Sequence, residues 1–213
     1  MSTCAGQKSS APTGSGKRTD FCLVRHGCTA WNLEKRCQGR HDLPLTEKGR
    51  EQAEAAASFL RNGRWEVVVA SDLLRAKETA EIIGGRLQLP VLLYSNLRER
   101  GFGLLEGLTA EEIRAAFPCW FPGKDLDLPG VESLQALAER AKTALNTLAA
   151  IFTGHRVVVV SHGAFLRAFL VSCLQWDRPA PGNGEAVEVI WEEGVWKYGH
   201  MEKSGYMEEK EVE

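Results

Sequence analysis

The sequence predicts a three-layer α/β/α protein whose central sheet is mostly parallel, with an antiparallel strand or hairpin at one edge. Short β-branched runs alternate with longer segments of helical periodicity, and this order indicates parallel strands with helices on both faces. The last two strand-like runs flank Glu-Glu-Gly at 192–194, which is typical of an antiparallel hairpin. No internal repeat or linker interrupts the order, so we expect one domain.

Six runs have the composition of strands: residues 21–24, 66–70, 91–94, 155–160, 186–191 and 195–198. Four helices are expected to begin at residues that cap helices well, namely Thr46, Ser71 with Asp72, Thr109 with Glu112 as a capping box, and Ser133. A mostly apolar segment at 164–174 predicts a fifth, buried helix. The stretches 33–45 and 96–107 have no clear period and are predicted to be loops.

Length and composition fit one globular domain of 213 residues, 44% hydrophobic and 25% charged. We expect this domain at 20–200, between a flexible tail at 1–19 and a charged tail at 201–213. A net charge of −2 gives no reason to expect nucleic acid or an anionic membrane as a partner. No apolar run reaches the ~20 residues of a membrane span.

The six cysteines are scattered and form no CxxC pair, which favours reduced thiols and a cytoplasmic location. The N-terminus lacks the apolar core of a secretory signal. The sequence leaves two alternatives open: a short organellar targeting segment at the N-terminus, and assembly into a homodimer.

Charged and polar groups follow two of the apolar strands directly. Arg25 and His26 come after the first strand, and His162 comes after the valine-rich strand. Arg75 is expected one turn into the helix that leaves the second strand, and the loop 98–100 follows the third. Because ligands bind outside the carboxyl ends of parallel strands, these groups are predicted to meet at one rim and to suit phosphoryl transfer.

Several motifs then occur in the order found in one known family. They are Arg25-His26-Gly27 with Thr29 and Asn32, Gln38-Gly39, Leu43-Pro44-Leu45-Thr46 with Gly49, Ser71-Asp72-Leu73 with Arg75-Ala76, Thr79-Ala80, Leu97-Arg98-Glu99, Glu106-Gly107 and Ser161-His162-Gly163. This ordered set, from Asp20 to about Trp196, resembles the histidine phosphatase superfamily, which has the phosphoglycerate-mutase-like fold. Arg-His-Gly alone is a weak signal, whereas the ordered set is a strong one.

The resemblance implies a metal-independent phosphatase that needs no cofactor and hydrolyses small-molecule phosphomonoesters. His26 would be the nucleophile that forms a phosphohistidine, and Glu99 the proton donor, while Arg25, Arg75 and a protonated His162 neutralise the phosphoryl oxygens. The substrate pocket would be completed by Asn32, Gln38 and the amides of Gly39, Gly163 and Ala164. The last two amides lie at a helix start, which favours phosphate.

Some positions allow a second interpretation. Glu106 also precedes a glycine and competes with Glu99 for the role of acid. Cys28 stands where relatives often carry glutamate or glutamine, and its thiol either packs inertly, which we favour, or senses oxidants. Substrate specificity is expected from 102–105 and from 117–129, which contains Trp120 and Phe121. A second anion site could involve three arginines, or these could be solvated charges: Arg36, Arg40 and Arg100.

Other functions are less consistent with the residues. A mutase of this fold usually carries extra sequence between the acid glutamate and the second histidine, and here that span is short, which favours hydrolysis. A non-catalytic phospho-ligand binder would not need both His26 and His162. No cysteine is followed by arginine six positions later, no HxH or HxxxH pair occurs, and Asp125-Leu126-Asp127 does not follow a strand.

Overall fold

A computed structural model describes residues 18–118, 125 and 128–199. The strands are β1 (Arg18–Arg25), β2 (Val67–Ala70), β3 (Val91–Leu93), β4 (Arg156–Ser161), β5 (Ala186–Glu192) and β6 (Val195–Tyr198). The helices are α1 (Ala30–Leu33), α2 (Glu47–Leu60), α3 (Leu74–Leu87), α4 (Ala110–Ala116), α5 (Leu134–Ile151) and α6 (Gly163–Leu174). Two 3₁₀ turns also occur: Ser95–Leu97 at the start of the predicted loop 96–107, and Gly103–Leu105 within it.

The sheet has six strands in the order β3-β2-β4-β1-β5-β6. The first four in that order pair in parallel, and β5 pairs antiparallel with both β1 and β6. The predicted fold class is therefore confirmed, including the antiparallel hairpin at one edge. In the described ranges, no helix is both long enough and apolar enough to cross a membrane.

Alternate side chains of each central strand enter the two layers of the core. Phe21 and Leu23 of β1 pack in a cluster with α5 and α6, whereas Cys22 and Val24 pack in a second cluster with α2 and α3. All four side chains are fully buried. The near-continuous apolar runs thus reflect strands that are covered on both faces, as parallel strands require.

Register brings the ends of the three central strands level with one another. β1 ends at Arg25, which pairs with Ser161 at the end of β4. The amide of His26 donates to the Ser161 carbonyl at 3.0 Å, and the amide of Ser71, just after β2, donates to the Val160 carbonyl at 3.0 Å. These bonds place the residues that follow each strand at one rim.

Two local predictions were wrong in detail. The predicted cap of α3 at Ser71 and Asp72 lies too early, because α3 begins at Leu74, whose amide donates to Asp42 Oδ1. The short helix α1 was not predicted, although Thr29 caps it with a capping box. β1 also begins at Arg18, two residues before the expected domain boundary, while most of the two predicted tails lies outside the described residues.

Candidate active site

His26 lies directly after β1, in the buried centre of the rim, with 2% of its surface exposed. Its Nδ1 is 2.7 Å from the carbonyl oxygen of Gly27, and only a protonated Nδ1 can donate to a carbonyl. The Nε2 atom accepts a hydrogen bond of 3.2 Å from Arg75 Nε. Burial, together with the charges of Arg75 and Arg25, holds the pKa of His26 well below its usual 6.5. The imidazole is therefore neutral, with an unprotonated Nε2.

His162 lies after β4, and its ring centroid is 5.1 Å from that of His26. The residue is fully buried, with Nε2 2.8 Å from Ser71 Oγ, while its buried Nδ1 has no hydrogen-bond partner in the part of the chain that the structure describes. Burial, Arg75 and the neighbouring His26 lower the pKa of His162 well below 6.5. This imidazole is therefore neutral in the unliganded site, whereas the expected protonation of His162 refers to the site with a phosphoryl group bound and stays a prediction.

Backbone carbonyls, rather than carboxylates, hold the two arginines at the rim. Arg75, the second residue of α3, is fully buried and donates from its two terminal nitrogens to the carbonyls of His41 (2.7 Å) and Gly39 (2.8 Å). Arg25 donates to the carbonyl of Pro181 at 2.9 Å, and its buried Nε has no hydrogen-bond partner within the described ranges. Both guanidinium groups therefore carry positive charge into the site.

Glu99 reaches the rim from the loop after β3, and 9% of its surface is exposed. Its carboxylate accepts hydrogen bonds from three amides: those of Ala164 at 3.1 Å, Phe165 at 3.0 Å and Arg100 at 2.9 Å. The start of α6 thus binds an anion, as predicted, but the anion is the side chain of Glu99. The role assigned to the Ala164 amide has to be corrected accordingly, because this amide orients Glu99.

Glu106 is engaged in a different way, at the edge of the site. Its Oε1 accepts hydrogen bonds from the amides of Arg40 (3.1 Å) and Phe102 (2.9 Å), so this carboxylate joins two loops. Gly39 passes against it with φ of +50°, and a Cβ atom at Gly39 would collide with Glu106 Oε1. Glu106 thus joins loops at Arg40 and Phe102, whereas Glu99 binds at the start of α6, directly after His162, and this difference favours Glu99 for the role of acid.

The remaining predicted pocket residues lie around the start of α1. Asn32 Oδ1 accepts hydrogen bonds from the amide and hydroxyl of Thr29, at 3.0 and 3.1 Å, which leaves its amide nitrogen as the group that could donate to a ligand. Gln38 Oε1 is 3.0 Å from the same hydroxyl. Gly163 lies against Arg25, since a Cβ there would be 3.2 Å from the guanidinium carbon.

Asn183 is a site residue that the sequence analysis missed. It belongs to the loop between α6 and β5, and its Nδ2 donates to the carbonyl of His26 at 2.9 Å and lies 3.4 Å from Asn32 Oδ1. The neighbouring Gly184 amide donates to the carbonyl of Arg25 at 3.0 Å. The only signal in the sequence was the dense run of Pro, Gly and Asn at 179–184, which predicts a turn but no partner.

The three arginines considered for a second anion site are all engaged with carboxylates. Arg36 pairs with Glu34 (2.9 Å) and Glu112 (3.1 Å), Arg100 pairs with Asp125 (2.8 Å), and the terminal nitrogen of Arg40 is 3.5 Å from Glu132. These contacts favour structural roles. Trp120 and Phe121, the aromatic residues expected to shape specificity, lie outside the described residues.

Cys28 packs as the favoured interpretation expected. Only 4% of its surface is exposed, and its Sγ is 3.5 Å from the carbonyl of Thr29. Over the ranges that the structure describes, no group of three or more His, Cys, Asp or Glu could hold a metal ion.

The rim therefore combines a neutral imidazole, a second imidazole, two guanidinium groups and one carboxylate, an arrangement suited to phosphoryl transfer. The family model of the histidine phosphatase superfamily (branch 1) matches residues 21–203. This chain belongs to the histidine phosphatase superfamily.

Individual relatives agree with this assignment. The chain is 38% identical over 152 residues to an uncharacterized phosphatase PhoE of Bacillus subtilis, covering 71% of this chain and 76% of that protein. It is 36% identical over 205 residues to a metal-independent phosphoserine phosphatase of Arabidopsis thaliana, covering 89% and 86%. Other matched relatives are described as phosphoglycerate mutases or mutase-like proteins. The solved structure of Bacillus stearothermophilus YhfR superposes with a TM-score of 0.79 at 30% identity, covering 85% of this chain and 95% of that one.

Proposed function

We propose that this protein hydrolyses small-molecule phosphate monoesters, without a metal ion, through a phosphohistidine on Nε2 of His26. The observation that carries the proposal is the state of this ring: the Gly27 carbonyl holds the proton on Nδ1, and burial keeps the other nitrogen unprotonated. An unprotonated imidazole nitrogen is a competent nucleophile toward phosphorus. Arg75, 3.2 Å from that nitrogen, is placed to contact a phosphoryl oxygen bound there.

Of the four buried side-chain atoms without a hydrogen-bond partner in the described residues, two belong to the rim and support an anion there, namely Arg25 Nε and His162 Nδ1. Buried donors are nearly always satisfied, so a phosphoryl group that accepts from both would remove two unfavourable features at once. We propose that Ser71 donates its hydroxyl hydrogen to His162 Nε2, which places the ring proton on Nδ1, toward the phosphoryl oxygens. His162 then acts as a hydrogen-bond donor without needing a permanent charge.

The reaction would proceed in two steps. In the first, His26 Nε2 forms a bond to phosphorus while the bond to the ester oxygen breaks, and Glu99 in its protonated form gives its proton to that oxygen. In the second, Glu99 takes a proton from water, the water oxygen bonds to phosphorus, and the N–P bond breaks to release inorganic phosphate. The loop position of Glu99, beside Arg25 and the start of α6, supports this double role.

A phosphoglycerate mutase is the second candidate, because some relatives carry that description. The short span between Glu99 and His162 favours release of phosphate over its return to substrate. The relative described as a metal-independent phosphoserine phosphatase supports small phosphomonoesters as the substrate class and hydrolysis without metal.

The test is phosphate release from a nitrophenyl phosphate and from a panel of phosphorylated metabolites, in the presence of a chelator. We expect turnover by the wild type, a loss on the order of 10³-fold or more in His26→Ala, and no comparable loss in the surface variant His155→Ala. A label from substrate phosphate should be trapped on His26 after alkaline quenching. A mutase would act only with a sugar-acid substrate, and a binding protein would turn over nothing; either result would overturn the proposal.

A further inference from the structure

Arg140, on the inner side of α5, uses every hydrogen of its guanidinium group within the protein. Its Nη1 donates to the carbonyls of Asn96 (2.9 Å) and Arg98 (2.8 Å). Its Nη2 donates to the carbonyl of Glu99 (3.3 Å) and to Glu132 Oε2 (2.8 Å), and Nε donates to Glu132 Oε1 (2.7 Å). An arginine has five such hydrogens, so Arg140 has none left for a substrate.

Glu132 binds the loop that carries Glu99 at a second point, on the C-terminal side of Glu99. Its Oε2 accepts a hydrogen bond of 3.2 Å from the amide of Gly101, two residues after Glu99. Burial alone would raise the pKa of Glu132, but the hydrogen bonds and charge of Arg140 hold it below its ordinary value. Glu132 therefore stays ionised at neutral pH, and its pair with Arg140 fixes the backbone on both sides of Glu99.

The same guanidinium group also packs against the helix that receives the Glu99 side chain. Its central carbon lies 5.4 Å from the ring centroid of Phe165, whose amide donates to Glu99 Oε1. Arg140 therefore contacts both the loop that carries Glu99 and a residue of α6 that orients its carboxylate. Arg25 differs in this respect, because its Nε has no hydrogen-bond partner among the described residues.

We propose that Arg140, paired with Glu132, is a positioning residue that holds the Glu99 carboxylate at the distance required for proton transfer to the leaving group. This inference rests on the proposed function, in which Glu99 is the acid. A displacement of about 1 Å in such a group costs on the order of 10²-fold in rate, comparable with the loss of general acid catalysis itself. The effect should depend on how much the leaving group needs a proton.

The test compares kcat/KM for an alkyl phosphate with kcat/KM for a nitrophenyl phosphate, whose leaving group departs as a stable anion. For Arg140→Met we expect a loss of about 10- to 100-fold with the alkyl ester and less than about threefold with the aryl ester. Because kcat/KM ends at the first irreversible step, it does not report the later attack of water. That attack also needs Glu99, so kcat with the aryl ester should fall and a burst of nitrophenol should appear.

The matched control is Arg86→Met, which removes a similar two-pronged pair with Glu54 (2.6 and 2.8 Å) between α3 and α2. Arg86→Met should leave kcat/KM unchanged for both esters. Equal losses with the two esters in Arg140→Met would overturn the proposal, because a general structural role predicts no dependence on the leaving group. If this variant does not fold, Arg140→Lys and Glu132→Gln provide the same test. For each, the loss of kcat/KM with the alkyl ester is divided by the loss with the aryl ester, and we expect a smaller selective loss than for Arg140→Met.

Glu99→Gln separates this inference from the proposed function. If Glu99→Gln loses more activity with the alkyl ester than with the aryl ester, while Arg140→Met loses the same amount with both esters, only the positioning role is wrong. If Glu99→Gln itself shows no dependence on the leaving group, the acid has been misassigned and the mechanism under which Arg140 was interpreted fails first.

Discussion

The two buried histidines make the stability of this protein depend steeply on pH. Burial and the charges of Arg75 and Arg25 keep the pKa of both His26 and His162 well below 6.5, the usual value that the unfolded chain restores. As the pH falls below 6.5, the unfolded state therefore binds up to two more protons than the folded state. Stability contributed by the pair is complete above pH 6.5 and is lost as the pH falls toward the folded-state values.

The magnitude follows from linkage. Each proton bound only by the unfolded state costs about 1.4 kcal/mol per pH unit, so between pH 8 and pH 5 each histidine costs at most about 2 kcal/mol, and the pair at most about 4 kcal/mol. This is a large part of the 5–15 kcal/mol that is typical of natural domains. The loss should be measured by urea unfolding between pH 5 and 8, followed by tryptophan fluorescence. The buffers must contain no phosphate, since phosphate would occupy the proposed site.

Variants identify which residues cause the slope, that is, the fall in the free energy of unfolding between pH 8 and pH 5. His162→Gln and His26→Gln should each remove about half of the acid-dependent loss, and the double variant nearly all of it, whatever their stability at pH 8. His155→Gln removes an exposed histidine and should leave the slope as it is. A double variant that retains the slope of the wild type would refute the reasoning, because the folded histidines would then bind protons as readily as the unfolded ones.

Three further changes test single contacts. Gly39→Ala should lower the free energy of unfolding by about 1–2 kcal/mol, measured by urea unfolding, because φ is positive and the new Cβ would collide with Glu106. Asn183→Ala removes the hydrogen bond to the His26 carbonyl, worth about 1 kcal/mol, and should reduce kcat/KM by about fivefold in a steady-state assay; an unchanged value would contradict its role. Because Cys28 is buried, peroxide should inactivate the wild type and Cys28→Ser equally, and protection by this substitution would restore the oxidant-sensing interpretation.

The fold could be predicted because the local signals agree with the global arrangement. The valine-rich runs at β2 and β4 are short, apolar on both faces and followed by helices, which leaves few topologies open. The start of α3 was misplaced for a physical reason. Its first amide is satisfied by Asp42, more than 30 residues earlier, and a cap supplied by such a distant residue leaves no local pattern.

The site was predictable where residues follow strands directly and less so where loops meet. His26 and His162 could be brought together from the sheet rule alone, since both stand one residue beyond adjacent parallel strands. Asn183 could not, because its contact with His26 joins loops 157 positions apart. The neutral state of His162 in the unliganded site could not be predicted, because burial, the largest influence on its pKa, cannot be read from the sequence.

The proposed binding of a phosphate dianion is compatible with a net charge of −2, because the arginines at the rim have a different kind of partner from those around it. Arg98 lies in the loop that carries Glu99 and pairs with Asp72. Arg140 packs against the same loop and pairs with Glu132, so neither arginine contributes much net positive charge. At the rim, carbonyl oxygens fix the guanidinium groups, and in the described part of the chain neither Arg25 nor Arg75 forms a salt bridge. Carbonyl dipoles orient a cation without cancelling its charge. The positive potential at the rim is therefore set by the backbone of the surrounding loops, and variants that move those loops should weaken phosphate binding without changing any charged residue.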